Sequence, residues 1–210
     1  MSLTQKMRNV SRALVQRYGP KPIKRYLWNR EFSAGRWDCL DKTGGERGHT
    51  QIEKYAANGH ILDLGCGSGT TSVELNPAAY SRYTGVDISD VAVQKAKDRA
   101  REAGREDRND YYLSDIATYI PKEKYEVILF GDSIYYVPHN QLDALLKRYS
   151  EYLSENGVFV VRMHDTSGKH RRIVDAIESH YQLVEKDSRA VDQSTACVIV
   201  FRPVSTQILS

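Results

Sequence analysis

The stretch that most constrains this chain is ILDLGCGSGTT, residues 61–71, in which three glycines at alternate positions follow a short apolar run. A glycine-rich turn after the first strand of an open α/β sheet lets a ligand approach the backbone. The spacing is G-x-G-x-G, and Thr70 stands where the nicotinamide fingerprint G-x-G-x-x-G has its third glycine. Asp63 lies two residues before Gly65, where its carboxylate would repel a diphosphate and favour a ligand that carries positive charge.

From residue 60 onward the chain alternates between apolar strands and amphipathic helices. The sequence predicts strands at residues 61–64, 82–88, 110–116, 125–131 and 158–163, and a closing hairpin formed by YQLVEKD and TACVIVFRP. It predicts helices at 70–75, after Ser89, from Leu142 to near Asn156 and Gly157, and around Ile173. Five β-α units in series favour a parallel sheet with helices on both faces. The predicted fold is therefore α/β: a Rossmann-like, doubly wound, mostly parallel seven-stranded sheet with an antiparallel C-terminal hairpin and a short N-terminal helical cap.

The first 48 residues follow a different pattern. Apolar residues at positions 3, 7, 10 and 14 predict a helix that ends near Gly19 and Pro20. The aromatic-rich stretch at 21–41 is interpreted as an irregular or short helical cap, and Gly44, Gly45 and Gly48 precede a helix at 50–57. We expect residues 1–48 to form a basic and aromatic cap, and residues 49–210 to form the ligand-binding domain.

Charge is divided unevenly between these two parts. Residues 1–30 hold eight Lys and Arg and no acid, whereas the remainder has 22 basic and 27 acidic residues. A basic segment of this kind can meet nucleic acid, anionic lipid or an anionic substrate, or can be a solvated helix face. No run of 18 apolar residues occurs, so no membrane span is predicted.

The three cysteines are far apart in sequence, which predicts neither a disulfide framework nor a zinc site. The basic start lacks the apolar core of a secretory signal, so we expect a cytoplasmic protein. No metal site is predicted, and the oligomeric state stays open.

The motifs in this order resemble those of the class I S-adenosylmethionine-dependent methyltransferases over residues 58–203. LDLGCGSG is similar to the first motif of that family, and Asp87 in GVDIS stands 18 residues after Gly69, where the family has the acid that grips the ribose. Asp115 in SDI ends the third predicted strand, where the family contacts adenine. The resemblance implies S-adenosylmethionine as cofactor, S-adenosylhomocysteine as product, and these cofactor-binding residues: Asp63, Gly65, Cys66, Gly67, Gly69, Asp87, Ile88, Asp115, Ile116 and Asp132.

Methyl transfer from a sulfonium mainly requires alignment of the acceptor, and a general base helps where the acceptor is a hydroxyl or an ammonium. The residues that follow the fourth and fifth strands lie at the carboxyl edge of the sheet. Candidate catalytic residues there are His139, His164 and Tyr136, and Tyr135 and Asp165 lie beside them. Each histidine could instead be a solvated or capping residue.

The acceptor is expected to be a small molecule, methylated on oxygen or nitrogen. No (D/N)-P-P-(Y/F/W) tetrapeptide and no paired cysteines occur, so DNA and protein-glutamine methylation are disfavoured. The alternatives left open are an RNA methyltransferase that uses the basic segment and a non-catalytic protein of the same fold. DSIYYV and VIVFRP are similar over a few residues to rhizobial nodulation N-methyltransferases, which act on a sugar amine.

Aromatic and basic residues complete the predicted acceptor site. Trp28, Phe32 and Trp37, with Tyr18 and Tyr26, could close over the cofactor as a lid or simply pack the cap onto the sheet. GKHRR, residues 168–172, opens the helix after the fifth strand, and Arg171 and Arg172 there could hold an anionic acceptor. Tyr135, Arg171, Arg172, Trp28 and Trp37 are therefore the candidate substrate and lid residues.

Overall fold

The computed structural model describes residues 3–38, 48–164, 168, 170–191 and 194–204, with side chains from residue 11 onward except those of 189–195. The helices are α1 (Leu3–Tyr18), α2 (Lys21–Ser33), α3 (His49–Ala56), α4 (Thr70–Glu74), α5 (Asp90–Glu102), α6 (His139–Ser150) and α7 (Arg171–His180). The strands are β1 (His60–Leu64), β2 (Arg82–Asp87), β3 (Asn109–Leu113), β4 (Tyr125–Gly131), β5 (Leu153–Met163), β6 (Tyr181–Val191) and β7 (Ser194–Pro203).

The strands form one seven-stranded sheet in the order β3-β2-β1-β4-β5-β7-β6. The first five strands in that order are parallel, and β7 pairs antiparallel with both β5 and β6. This confirms the predicted doubly wound sheet with its C-terminal hairpin. The order reverses at β1, whose two neighbours are β2 and β4, and an α/β sheet binds its ligand at such a switch point.

The central strands are apolar on both sides because helices cover both faces of the sheet. Ile61, Leu62, Val127 and Ile128 are fully buried. The helix that follows β2 begins at a side-chain cap, because Ser89 Oγ accepts a hydrogen bond from Ala92 N at 3.1 Å. Residues of α5 at helical spacing, Ala92, Val93, Ala96 and Ala100, are buried. Sequence periodicity therefore placed this helix and its buried face correctly.

The stretch after Pro20, interpreted as an irregular or short helical cap, begins with the 13-residue helix α2, and Pro22 lies in its first turn where a missing N–H costs little. Two local predictions were wrong. The link between β3 and β4 contains no helix, so that β-α unit lacks its α element. Strand β5 starts at Leu153, inside the predicted helix, and a register shift between Tyr125 and Val127 of β4 accommodates its extra residues.

The cap helix α2 is fixed to the start of α5. Ser89 Oγ donates to Asn29 Oδ1 at 2.7 Å, and Arg25 Nε lies 3.0 Å from Asp90 Oδ1. Lys95 Nζ also donates to the Phe32 carbonyl at 3.0 Å. These contacts hold α2 across the carboxyl edge of the sheet. The predicted boundary between cap and sheet, near residues 44–49, lies mostly outside the described residues.

Candidate functional site

A cavity of about 340 Å³ lies between the cap and the carboxyl ends of β1, β2, β4 and β5. The predicted residues that line it are Trp28, Trp37, Asp63, Gly65, Cys66, Gly67, Asp87, Ile88, Asp115, Ile116, Asp132 and Tyr136. The predicted residues outside the lining are Gly69, Tyr135, His139, His164, Arg171 and Arg172. The cavity volume is at the lower end of the range for small-molecule sites.

The three glycines of the turn after β1 all have left-handed φ values. They differ in the atoms that a Cβ at each position would meet. At Gly65, with φ +90°, a Cβ would lie 2.5 Å from Ser133 Cβ, and at Gly69, with φ +78°, it would lie 2.8 Å from Ala96 Cβ. At Gly67, with φ +55°, a Cβ would meet nothing closer than Phe32 Cζ at 3.6 Å. The close approach at Gly65 and Gly69 is therefore made by the protein itself, whereas Gly67 faces the cavity.

Asp87 ends β2, and its carboxylate is held by the backbone of two turns. Oδ2 accepts from Gly67 N at 3.0 Å, and Oδ1 accepts from Ser89 N at 2.8 Å. Burial nevertheless raises the pKa of Asp87 to about 6, against the lowering effect of these hydrogen bonds. A carboxylate has about four acceptor sites, so Asp87 can accept further hydrogen bonds from hydroxyl groups in the cavity.

Asp63 projects from β1 into the floor of the cavity and is 2% exposed. Tyr83 Oη donates a short hydrogen bond to Asp63 Oδ2. Burial raises the pKa of the neighbouring Cys66 thiol well above its usual value, and Asp87 and Asp63 raise it further. Cys66 is therefore a protonated, small lining residue and not a thiolate nucleophile.

Asp115 follows β3 at the other end of the cavity, and both of its oxygens have partners. Ala117 N donates to Oδ1 at 2.9 Å, and Lys24 Nζ lies 2.7 Å from Oδ2. Lys24 comes from α2 and also lines the cavity, so this ion pair joins the cap to the sheet edge. Ile88 and Ile116 add apolar surface at the same end.

The aromatic residues of the cap form one wall of the cavity. Trp28 lies 4.8 Å from Tyr136, edge to face, and 5.9 Å from Trp37, measured between ring centroids. Phe32 lies 6.2 Å from Trp28. Trp37 Nε1 donates to Glu31 Oε2 at 3.2 Å, and Glu31 in turn pairs with Arg12 at 3.2 Å. Tyr26 is 63% exposed and does not line the cavity.

Asp132 directly follows β4 and has φ +54°, a left-handed conformation that is uncommon for a residue with a side chain. Arg162 of β5 donates from Nε to Asp132 Oδ2 at 3.0 Å. His164 lies beside the same carboxylate, with Nε2 3.9 Å from Oδ1, but its side chain is 59% exposed. Asp165 lies outside the described residues.

Arg17 of α1 reaches the loop after β4. Its Nε and Nη2 both donate to the Tyr135 carbonyl, the first at 2.8 Å, and its Nη1 lies 3.1 Å from His139 Nε2. Since arginine can only donate, His139 Nε2 is the acceptor and carries no proton. Burial lowers the pKa of His139, and the charges of Arg17 and Arg172 lower it further. His139 is thus a neutral residue that supports Arg17 from outside the cavity lining.

The two arginines after β5 are exposed at the start of α7. Arg171 Nε lies 2.7 Å from Asp175 Oδ1 on the same helix. Arg171 and Arg172 thus lie outside the cavity lining, and their contact with an acceptor stays a prediction. Arg172 lies close enough to influence His139. Tyr135 stacks on His170 with ring centroids 4.6 Å apart and lies outside the cavity lining.

Sequence reasoning missed four polar residues of the site: Arg17, Lys24, Glu31 and Arg162. The first two belong to the basic segment, but nothing in the sequence distinguishes them from its other six Lys and Arg. Arg162 is the last residue but one of the apolar strand β5, and its position between Val161 and Met163 was the one signal that could have marked it. Within the described residues, no group of three His, Cys, Asp or Glu could hold a metal ion.

A family model described as "Methyltransferase domain" matches residues 56–201. The chain is 28% identical over 119 residues to 27-O-demethylrifamycin SV methyltransferase of Amycolatopsis mediterranei, which covers 53% of this chain and 44% of that protein. It is 27% identical over 121 residues to the mRNA cap guanine-N(7) methyltransferase of Cryptococcus neoformans, which covers 50% of this chain and 19% of that protein. The chain thus spans less than half the length of these relatives.

Solved structures with the same fold include N-methyltransferase NodS from Bradyrhizobium japonicum in complex with S-adenosylhomocysteine. The TM-score is 0.68 at 19% sequence identity, and the match covers 86% of this chain and 98% of that one. This likeness concerns the fold. None of the described helices is long and apolar enough to cross a membrane.

Proposed function

The chain belongs to the class I S-adenosylmethionine-dependent methyltransferases, and from this premise we propose that it methylates a small molecule that carries a carboxylate or a phosphate. The cofactor supplies, when bound, a methyl group on a sulfonium centre, and S-adenosylhomocysteine is the product. The acceptor is a metabolite, natural product or sugar, methylated on oxygen or nitrogen. It would bind in the cavity under the cap, on the β4 and β5 side.

The residues of the cavity fit this cofactor. Asp87 has free acceptor capacity beside the glycine turn, where it would hold the ribose hydroxyls. Asp115, Ile88 and Ile116 lie at the end where the family binds adenine. Gly67 leaves the space in front of the turn open, because its missing Cβ would point towards the ring of Phe32 across that space. The carboxylates of Asp63 and Asp87 favour the positive charge of the sulfonium and ammonium groups.

The cap favours a small acceptor over a macromolecule. Helices α1 and α2 cross the carboxyl edge of the sheet, and Trp28, Phe32 and Trp37 close the cavity from above. These rings would exclude water from the reacting groups, which strengthens the electrostatic interactions inside. A nucleic acid or a protein would require the cap to leave a groove open along the sheet edge.

The observation that favours a negatively charged acceptor is the environment of Arg17. Three cationic side chains of the described residues line the cavity, and Lys24 and Arg162 are each paired with a lining aspartate. Arg17 contacts a carbonyl and a neutral imidazole, so among these three it alone keeps its charge uncompensated by a carboxylate. A guanidinium with N–H groups to spare is well suited to a carboxylate or a phosphate.

Tyr136 lines the same side of the cavity and acts here as a hydrogen-bond donor. Burial and, to a smaller extent, the nearby Glu31 together raise the pKa of Tyr136 to about 12, so the phenol keeps its proton at neutral pH. His139 is held by Arg17 and does not line the cavity. The proposed mechanism therefore rests on alignment of the acceptor by Arg17 and Tyr136.

The proposal is tested with a panel of acceptors and an assay that measures S-adenosylhomocysteine formation. The panel pairs carboxylates and phosphates with their neutral esters, and includes RNA oligonucleotides. We expect turnover with anionic small molecules only. Turnover with the neutral ester of a pair, or with RNA, would contradict the assignment.

Arg17→Gln distinguishes the anion contact from a structural role. It should raise the KM of an active anionic acceptor by about tenfold to a hundredfold, the equivalent of one charged hydrogen bond of about 1.5–3 kcal/mol. The Kd of S-adenosylhomocysteine should stay within about twofold. Arg171→Gln is the matched control, because that arginine is exposed and pairs within its own helix.

A further inference from the structure

The turn after β1, residues 65–69, is held from two sides. Its first half is tied to the end of β2, where Cys66 N donates to the Val86 carbonyl at 3.1 Å. Gly67 N then donates to Asp87 Oδ2 at 3.0 Å. Beyond Gly67 the turn leaves β2, and its second half meets α5 instead.

Arg99 of α5 holds the second half of this turn. Its Nη1 donates to the Ser68 carbonyl at 2.7 Å, to Ser68 Oγ at 2.9 Å and to Thr70 Oγ1 at 2.7 Å. Ser68 and Thr70 both line the cavity. A single guanidinium nitrogen on the neighbouring helix thus contacts both the backbone and the side chains of the segment that faces the ligand.

The turn needs such a contact because its own backbone restrains it weakly. Gly67 and Gly69 flank Ser68, and their φ values are +55° and +78°. Glycine loses more conformational freedom on ordering than any other residue, so a peptide between two glycines is costly to hold in one conformation. Hydrogen bonds from a charged donor are stronger than neutral ones, and those from Arg99 restrain the Ser68 peptide.

Helix α5 also holds the opposite side of the cavity. Lys95 lies four residues before Arg99, on the same side of the helix, and its Nζ donates to the Phe32 carbonyl at 3.0 Å. Phe32 stands across the space in front of Gly67, where a Cβ would lie 3.6 Å from Phe32 Cζ. Two basic residues of one helix therefore hold both the turn and the facing part of the cap.

We propose that Arg99 is a positioning residue for the cofactor. By restraining Ser68, it keeps the turn in the conformation in which Gly67 faces the cavity and its N–H meets Asp87. Arg99 does not line the cavity, so it acts through the turn and not by touching the cofactor. A turn that is ordered before binding costs less to order on binding, which favours affinity. This inference concerns the cofactor and does not depend on the nature of the acceptor.

The test compares the wild type with Arg99→Met, which keeps a long side chain and removes every donor. We expect calorimetry to show that the Kd of S-adenosylhomocysteine rises about tenfold or more. Amide hydrogen exchange of residues 65–71 in the ligand-free protein should become faster, because the turn opens locally. Arg99→Lys keeps a charged donor and should bring the Kd back to within about threefold of the wild type. Urea unfolding checks that each variant is folded.

A pH series separates positioning from a general loss of stability. The N–H of Gly67 lowers the pKa of Asp87. A loosened turn should therefore raise that pKa, and the loss of S-adenosylhomocysteine affinity on acidification should begin at higher pH in Arg99→Met. The N–H groups of residues 88–89 and the charge of Asp115 also act on this carboxylate, but they lie outside the turn.

Arg101→Met is the matched control. Arg101 lies on the same helix, its side chain is 65% exposed, and it pairs with Asp98 at 2.9 Å. This variant should keep the wild-type Kd, hydrogen exchange and pH series. Wild-type affinity in Arg99→Met would overturn the proposal, and so would an equal loss in Arg101→Met. Weaker affinity of Arg99→Met with unchanged exchange of the turn and an unchanged pH series would also overturn it.

Discussion

At the scale of single residues, Asp87 carries the most testable charge. Its pKa of about 6 means that the ligand-free protein loses this negative charge as the pH falls through that value. We expect the affinity for S-adenosylhomocysteine to fall by up to about tenfold per pH unit below pH 6, because a protonated carboxyl accepts hydrogen bonds poorly. Calorimetry from about pH 8 to pH 5 measures this. Asp87→Asn should bind weakly at every pH, and the exposed Asp98→Asn should follow the wild type.

The same residue should show opposite effects on stability and on binding. A raised pKa in the folded state means that Asp87 contributes stability below its unfolded pKa of 3.8 and that this contribution is lost as the pH rises through about 6. Asp87→Asn removes the buried charge, so at pH 8 it should raise the free energy of unfolding by about 1–3 kcal/mol. Urea unfolding at pH 8 and pH 4 would contradict this if the gain were equal at both.

Gly65 and Gly67 separate protein packing from ligand space. Gly65→Ala combines a left-handed φ with a contact of 2.5 Å to Ser133 Cβ, so it should destabilise the protein by about 2–4 kcal/mol. Gly67→Ala has room for its methyl group and should cost only about 1 kcal/mol. It should nonetheless weaken S-adenosylhomocysteine binding about tenfold or more, since the methyl group enters the cavity. Equal stability of the two variants in urea would contradict this assignment.

At the scale of elements, we propose that residues 1–48 form a cap that is dispensable for folding of the sheet. The strands begin only at His60, so deletion of residues 1–40 should keep cooperative unfolding and the far-ultraviolet circular dichroism of the sheet. It should abolish turnover, because Arg17 and the aromatic wall are removed. Full activity of the shortened protein would show that the cap only packs or associates.

The same wall supplies a direct optical signal. Trp28 and Trp37 are the two tryptophans of the chain, and both line the cavity. Saturation with S-adenosylhomocysteine should therefore change the intrinsic fluorescence, with the same midpoint as calorimetry. Trp28→Phe and Trp37→Phe each keep one reporter and serve as mutual controls. An unchanged spectrum at saturation would place both rings away from the ligand.

The elements that sequence predicted correctly are those with one clear period. Strands β1 and β4 contain short apolar runs, and α5 has buried residues at regular helical spacing. The sequence left α2 open as an irregular or short helical cap. Its polar residues Lys24 and Glu31 are turned inward and Ile23 and Tyr26 are exposed, so its pattern does not show the usual amphipathic stripe. Strand β5 was shortened because Asn156 and Gly157, usual signs of a turn, lie inside it.

At the scale of the whole molecule, the sequence predicted one half of the site. Asp63, Asp87, Asp115 and Asp132 stand at or near the carboxyl ends of parallel strands, which meet at one edge of the sheet, so the sequence alone groups them. Arg17 and Lys24 could not be grouped with them. Their partners, Tyr135, His139 and Asp115, lie about a hundred residues away in sequence, and the contact depends on how the cap folds back over the sheet edge.

The fold thus sets a basic cap against an acidic sheet edge, and this arrangement predicts a salt dependence. An anionic acceptor would be drawn by the eight basic residues of positions 1–30 as well as by Arg17. Its KM should rise steadily between about 0.05 and 0.5 M salt, as the Debye length falls from above 10 Å to a few ångströms. S-adenosylhomocysteine has no net charge at neutral pH, so its Kd should change little. Arg17→Gln should raise KM at every salt concentration yet keep part of the slope, because the remaining basic residues still act at long range. A KM that is independent of salt in the wild type would mean that the cap does not attract the acceptor by charge.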